Sequence, residues 1–192
     1  FVLNKSVATA KSTTVSSSRD PEGIVFIKQA SSTTTFKVFL NGVSVGSITA
    51  DADADTLVSN VATAMSSVSG FTITKFGSSN VHVTRSDGAD FTLHAEAPEF
   101  VMIAVKDSVV DFTDLPARTK DGFTIKITGD PSSGTDDYWI THNNQADQDV
   151  GEWVETVEPG LANSLDSTTM PLQLVRTSED PWDASFSADY GE

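Results

Sequence analysis

The chain has 192 residues, with 27 acidic against 12 basic side chains, a net charge of −15 and no cysteine. That length suits one large domain or two small ones and can bury a core without covalent staples. The lack of cysteine excludes disulfides and thiolate metal sites. The acidic balance argues against reading nucleic acid, which needs lysine and arginine to displace phosphate counterions.

The chain opens on Phe1-Val2-Leu3-Asn4-Lys5. This reads as the entry to a strand, and as an internal segment of a longer protein. The serine- and threonine-rich stretches at 12–18 and 31–35 carry no motif and read as linkers or edge strands. Val, Thr, Ile, Phe and Ser dominate, with turn residues at intervals of roughly eight to twelve positions, a mostly β rhythm. An apolar–polar alternation begins at Val25 and Ile27. Residues 36–40 and 43–48 then flank Asn41-Gly42, a pair that tolerates positive φ at both turn positions and so predicts a tight type I′ hairpin.

Leu57, Val61 and Met65 recur every four residues, with Val58, Ala62 and Val68 beside them. The spacing predicts a short helix with one apolar stripe. Asp55 is the expected N-cap, the aspartates before it suit the positive end of the helix dipole, and Gly70 is the expected stop. Three strands follow at 71–76, 81–85 and 91–95. With a turn centred on Gly88, Val83 is expected opposite Leu93 and His82 opposite His94, which puts the apolar sets on one face and both histidines on the solvent face. Residues 24–96 thus read as a β-β-α-β-β-β module.

From Val109 onward the pattern changes. Phe123, Ile125 and Ile127 alternate with polar residues, a turn-rich loop spans 129–137, and strand-like runs lie at Tyr138-Trp139-Ile140-Thr141 and 151–157. The end of the chain, 177–192, is acidic and turn-rich. The expected fold is mainly β, with antiparallel subdomains and one short helix. The expected division is 1–23, an N-terminal strand and linker joining the β scaffold; 24–105, the module; 106–176, the scaffold; and 177–192, an acidic tail or linker. No apolar run approaches the about 20 residues that a membrane helix needs.

Each candidate for chemistry has a plainer alternative. Asp51, Asp53 and Asp55 have the opening spacing of a calcium loop, but Thr56 stands where that loop needs Gly and Ala62 where it needs Glu. They read instead as a helix-capping loop. His82 and His94 as a pair, with Glu96 near, fall short of a zinc site, and the expected metal content is none. His142 has no partner evident in sequence. Asp136, Asp137, Glu152, Glu155 and Glu158 have the chemistry of glycoside-cleaving carboxylates and equally that of a solvated acidic surface. Trp139, Trp153 and Trp182 suit sugar stacking or, for the two in strand-like runs, a core or subunit interface, which is the favoured reading. There is no nucleophile elbow, phosphate-binding loop or dinucleotide fingerprint, so the expectation is no catalytic residue and no cofactor.

One ordered set of segments carries a resemblance. Phe112-Thr113-Asp114-Leu115-Pro116 precedes Asp121-Gly122 and an alternating strand. Then come Tyr138-Trp139-Ile140, Gly151-Glu152-Trp153-Val154-Glu155-Thr156, Pro159-Gly160, and Thr169-Met170-Pro171 with Leu174-Val175-Arg176. In order and spacing, these segments resemble the tail tubular protein B family, the nozzle component of short-tailed bacteriophages (podoviruses). The opening strand and the module of 24–96 are similar to that family's with weaker motifs.

The resemblance implies a virion structural protein of the tail, several times longer than this chain. It implies a hexameric tube below the adaptor ring, with tail adaptor protein and tail fibres as partners, that retains and then passes DNA during ejection. It implies no catalytic residue, no specific DNA contact and no membrane insertion. The rival readings are a polysaccharide hydrolase or a sugar-binding module of the tail.

Overall fold

The computed structural model describes residues 8, 10–130, 132, 134, 136–144, 151–162, 166 and 169, and the backbone of 173–176 and 186–189. In chain order its elements are β1 (Glu22–Ile27), β2 (Lys37–Leu40), β3 (Val43–Ser44), α1 (Ala54–Ser66), β4 (Phe71–Phe76), β5 (Asn80–Arg85), β6 (Leu93–Glu96), β7 (Met102–Val105) and β8 (Ser108–Val109). A 3-10 turn at Phe112–Asp114 follows, then β9 (Thr124–Ile127), β10 (Tyr138–Asn144), β11 (Gly151–Thr156), β12 (Gln173–Arg176) and β13 (Phe186–Asp189). The fold is mainly β with one α-helix among the described residues, as the sequence pattern predicts. The chain divides into two compact units, one made of 1–18 with 158–192 and the other of 19–157.

In the smaller unit, the Ser16 amide donates to the Leu161 carbonyl at 3.0 Å and the Gly160 amide to the Ser17 carbonyl at 3.2 Å. The Asp166 amide donates to the Ala10 carbonyl at 2.9 Å. Strands β12 and β13 pair antiparallel, so the acidic end of the chain contains a strand. The opening run Phe1–Lys5 and Trp182 lie outside the described residues.

The larger unit is built on three sheets. The first has the order β4-β5-β1-β7 and is antiparallel throughout. The second is β3-β2-β6. The third is β11-β10-β9-β8, in which β8 runs parallel to β9. The Asn41-Gly42 turn closes β2 onto β3, with φ of 54° and 77°, the positive values that a type I′ turn requires.

Helix α1 buries Leu57, Val58, Val61 and Met65 along one stripe. Each such burial stabilises by roughly 1.5–3 kcal/mol before entropy is counted. The N-cap is Asp53, not Asp55: the Asp53 carboxylate accepts the Thr56 amide at 2.8 Å. Asp55 instead lies in the first turn and pairs with Lys75 at 2.7 Å. Asp51 accepts the Asp53 amide at 2.7 Å, so the three aspartates order the helix entrance.

Strand β1 sits between two cores. Its side chains alternate across the sheet, so Val25 and Ile27 enter one cluster with Val38, Leu40, α1, Val81 and Val83. Ile24 enters the other, with Val105, Val109, Leu115, Phe123, Ile125, Ile127 and Ile140. The first sheet is therefore covered on both faces. This overturns the expected hairpin around Gly88. Strand β5 pairs with β4 and β1, placing Val83 opposite Ile73 and Gly23. Strand β6 instead joins β2, where Leu93 faces Leu40 and His94 faces Phe39. The alternation in β5 is real, but its polar face is buried rather than wet. His82 is 5% exposed, and the chain between β5 and β6 crosses to another sheet.

Candidate functional site

The polar face of β5 points at one short segment, residues 116–122, which bridges the 3-10 turn and β9. It enters through Phe112–Asp114, where the Asp111 carboxylate accepts the Thr113 amide at 2.7 Å and its hydroxyl at 2.8 Å. Asp114 is anchored by Lys28. Leu115 and Pro116 are then buried.

Beyond Pro116 the backbone runs as a strap whose carbonyls cannot reach a sheet ladder. Part-buried carbonyls still need donors, and here side chains supply them. Four consecutive carbonyls are taken in turn. Trp153 Nε1 donates to Pro116 O at 2.9 Å, and His142 Nε2 meets Ala117 O at 3.4 Å. Asn80 Nδ2 donates to Arg118 O, and Asn144 Nδ2 to Thr119 O at 3.3 Å. Three of these donors come from the third sheet, and Asn80 comes from β5 of the first. The strap therefore fixes one sheet against the other.

Side chains of the strap return the contacts. Thr119 Oγ1 donates to Asn80 Oδ1 at 3.3 Å, and Asp121 accepts the Asn144 amide at 2.8 Å. Lys120 Nζ reaches the Glu22 carboxylate at 2.7 Å, and His82 Nε2 meets the same oxygen at 2.8 Å. Glu22 is 3% exposed. Burial alone opposes its charged form, but the hydrogen bonds from His82 and Lys120 outweigh it and hold the carboxyl below its ordinary range. The cluster holds because the carboxylate keeps two hydrogen-bond partners; a buried carboxylate left with none would cost several kcal/mol.

On the other side of Phe123, His142 is 1% exposed and lies edge-on to Trp153 at 4.9 Å between ring centroids. Phe123 touches both His82 and Trp153 edge-to-face at 6.1 Å. The His142 ring fits because residue 151 is glycine: a Cβ there would stand 2.2 Å from His142 Cε1. Burial pushes the His142 imidazole below the ordinary histidine value, against the opposing pull of Ala117 O and Asp121.

The candidates for chemistry are dispersed. His82 and His94 lie on different sheets, and Glu96 pairs with Lys37 at 2.9 Å. Among the described residues no group of three histidine or carboxylate side chains is placed to hold a metal. Asp137 pairs with Lys126 at 2.5 Å, and Asp136 accepts the Asp130 amide at 3.0 Å. Glu152 and Glu155 are exposed on β11, facing Asn143 and Ile140 in register, and Glu158 is an exposed residue of the smaller unit. Trp139 is half-buried between Lys126 and Thr156, and the indole N–H of Trp153 is committed to the strap. Glu22, Asn80, Thr119, Lys120 and Asn144 were not marked by any sequence signal. The strap's frame, Phe112–Pro116, Asp121-Gly122, Gly151 and Trp153, coincides with the segments that carry the family resemblance.

The comparisons place this β scaffold among the structural proteins of the bacteriophage tail. The family model described as bacteriophage nozzle protein matches residues 1–191. The chain belongs to the bacteriophage nozzle protein family. It is also similar to "Tail tubular protein gp12" of Escherichia phage T7, 28% identical over 110 residues. That match covers 56% of this chain and 13% of the T7 protein, so the chain spans a small part of the relative's length.

Proposed function

We propose that this chain forms part of the wall of an oligomeric tail tube that retains DNA and lets it pass during ejection. The family match over residues 1–191 carries the reading. The ring is a hexamer, as the likeness to the nozzle of short-tailed phages implies, with the tail adaptor protein and tail fibres as neighbours. Residues 106–176, with 1–23, contribute to the tube body. The module of 24–105 decorates it, and 177–192 leads onward.

Composition supports passive conduction. With a net charge of −15, the surface repels a polyanion and gives it no cationic foothold. DNA slides past without specific contacts, and the protein's work is to keep its shape under load. The strap suits that role because it ties two sheets through polar contacts of fixed geometry. No catalytic step is assigned: His82 and His142 are spent on packing and internal hydrogen bonds.

The test is the mass and form of the parent protein from tail particles, by light scattering and mass spectrometry. A parent much longer than this chain, assembled as a ring of six, supports the tube. A monomeric parent of 192 residues overturns it.

A further inference from the structure

Two buried histidines flank Phe123, and they differ in one respect. His82 faces a carboxylate, Glu22, at 2.8 Å. His142 faces none. Its Nε2 is directed at Ala117 O, and its Nδ1 is buried and meets no hydrogen-bond partner among the described residues.

We propose that His142 makes the strap an acid-sensitive latch, in which protonation of this one imidazole frees residues 116–122 and strand β10 from each other while the core around α1 stays folded. The chemistry follows from the inventory of the ring. Neutral imidazole has one donor and one acceptor, and the Nε2–H donor is used on Ala117 O. Imidazolium has two donors, so the added proton sits on Nδ1, where no acceptor waits. A buried donor without an acceptor costs the desolvation of that group, and here it would carry charge as well.

The surroundings offer little compensation. From the strap, Asp121 favours the charged ring and Arg118 opposes it. From β11, the neighbours are the Trp153 ring and the Gly151 backbone, neither of them charged. From β10, the near side chain is Asn144, whose amide nitrogen donates to Thr119 O and whose Oδ1 lies beside the Nε2–Cε1 edge of the ring. Beyond Phe123, the Glu22 carboxylate is already shared by His82 and Lys120. Burial accordingly favours the neutral imidazole in the closed joint.

The open joint lets water accept the second proton. Acid therefore shifts the balance toward opening. The folded value lies below the unfolded one, so closure is at full strength above the unfolded value of about 6.5 and weakens as pH falls from there toward the folded value, by at most about tenfold in the opening constant per pH unit. Three main-chain amides report the joint: Gly122 N to His142 O, His142 N to Phe123 O, and Asn144 N to the side-chain Oδ1 of Asp121. Helix α1 and the β4–β5 pair report the module.

The experiment is amide hydrogen exchange by NMR on this chain between pH 7.5 and 5, corrected for the intrinsic pH dependence of exchange. The expected result is a rising opening constant at Gly122, His142 and Asn144, approaching tenfold per pH unit, with α1 and β4–β5 unchanged. His142→Gln keeps a donor for Ala117 O without a titrating ring and should abolish the slope. His82→Gln should leave it. A flat wild-type profile, a slope that survives His142→Gln, or one that His82→Gln removes would each overturn the latch. If His142→Gln does not fold, the wild-type His142 Cε1 proton decides. A midpoint below the ordinary histidine value, where the rise at the three amides levels off, supports the latch, and one at or above that value overturns it.

Discussion

The two cores of residues 19–157 are held by different means. Around α1 the contacts are apolar: Leu57, Val58, Val61, Met65, Val81 and Val83 are buried in one cluster with Phe36 and Phe91. Around the strap the apolar cluster is smaller and is tied by directional contacts from Trp153, His142, Asn80 and Asn144 to four adjacent carbonyls. Apolar packing tolerates volume-conserving exchange, whereas a satisfied polar network fixes one geometry and loses much when one member goes. In the proposed tube wall, the second kind of joint would be the one that holds the bore.

The difference can be broken at several points. Phe123 is fully buried and lies against both His82 and Trp153. Phe123→Ala should cost about 3–5 kcal/mol and loosen the joint before the module, read as loss of exchange protection in β9–β11 ahead of α1. Next is Gly151→Ala, which drives a methyl into the His142 ring and should cost about 1–3 kcal/mol in a denaturant titration. An alanine tolerated there without loss would mean that the ring is free to move.

Acid sharpens the same contrast. Glu22 titrates below its ordinary value in the folded chain, so its contribution is complete above the unfolded value of about 4.3 and is lost as pH falls through the folded one. Glu22→Gln should flatten that part of the acid-unfolding curve while lowering stability at pH 7. An unchanged curve below pH 4 would remove Glu22 from the account of acid unfolding. The smallest effect expected is Asp53→Ala at the helix entrance, a fall in Tm below that of either joint variant and confined to the module.

The Asn41-Gly42 turn, helix α1 and strand β4 were legible because their signals are local. Asn41-Gly42 states its own turn, the four-residue recurrence of Leu57, Val61 and Met65 states the helix, and the ends of β4 follow from its flanking glycines. The cap was misplaced by two residues because Asp51, Asp53 and Asp55 all have capping chemistry, and only the fold decides which carboxylate meets an amide. The strap was not legible as a site. His82 meets Glu22 across 60 residues and Lys120 meets it across 98, distances over which periodicity carries no information. The alternation in β5 was read correctly and its meaning reversed, since a period of two cannot tell a wet face from one covered by a second sheet. The resemblance reached the strap indirectly, through its frame of Phe112–Pro116, Asp121-Gly122, Gly151 and Trp153.

The most direct test of the tube-wall assignment is electron cryomicroscopy of the assembled tail. The expected result is density for residues 19–157 repeated around the tail axis, with residues 106–176 in the wall and no basic cluster of this chain against the DNA path. Density for this chain on a fibre, or as a single copy away from the axis, would contradict it.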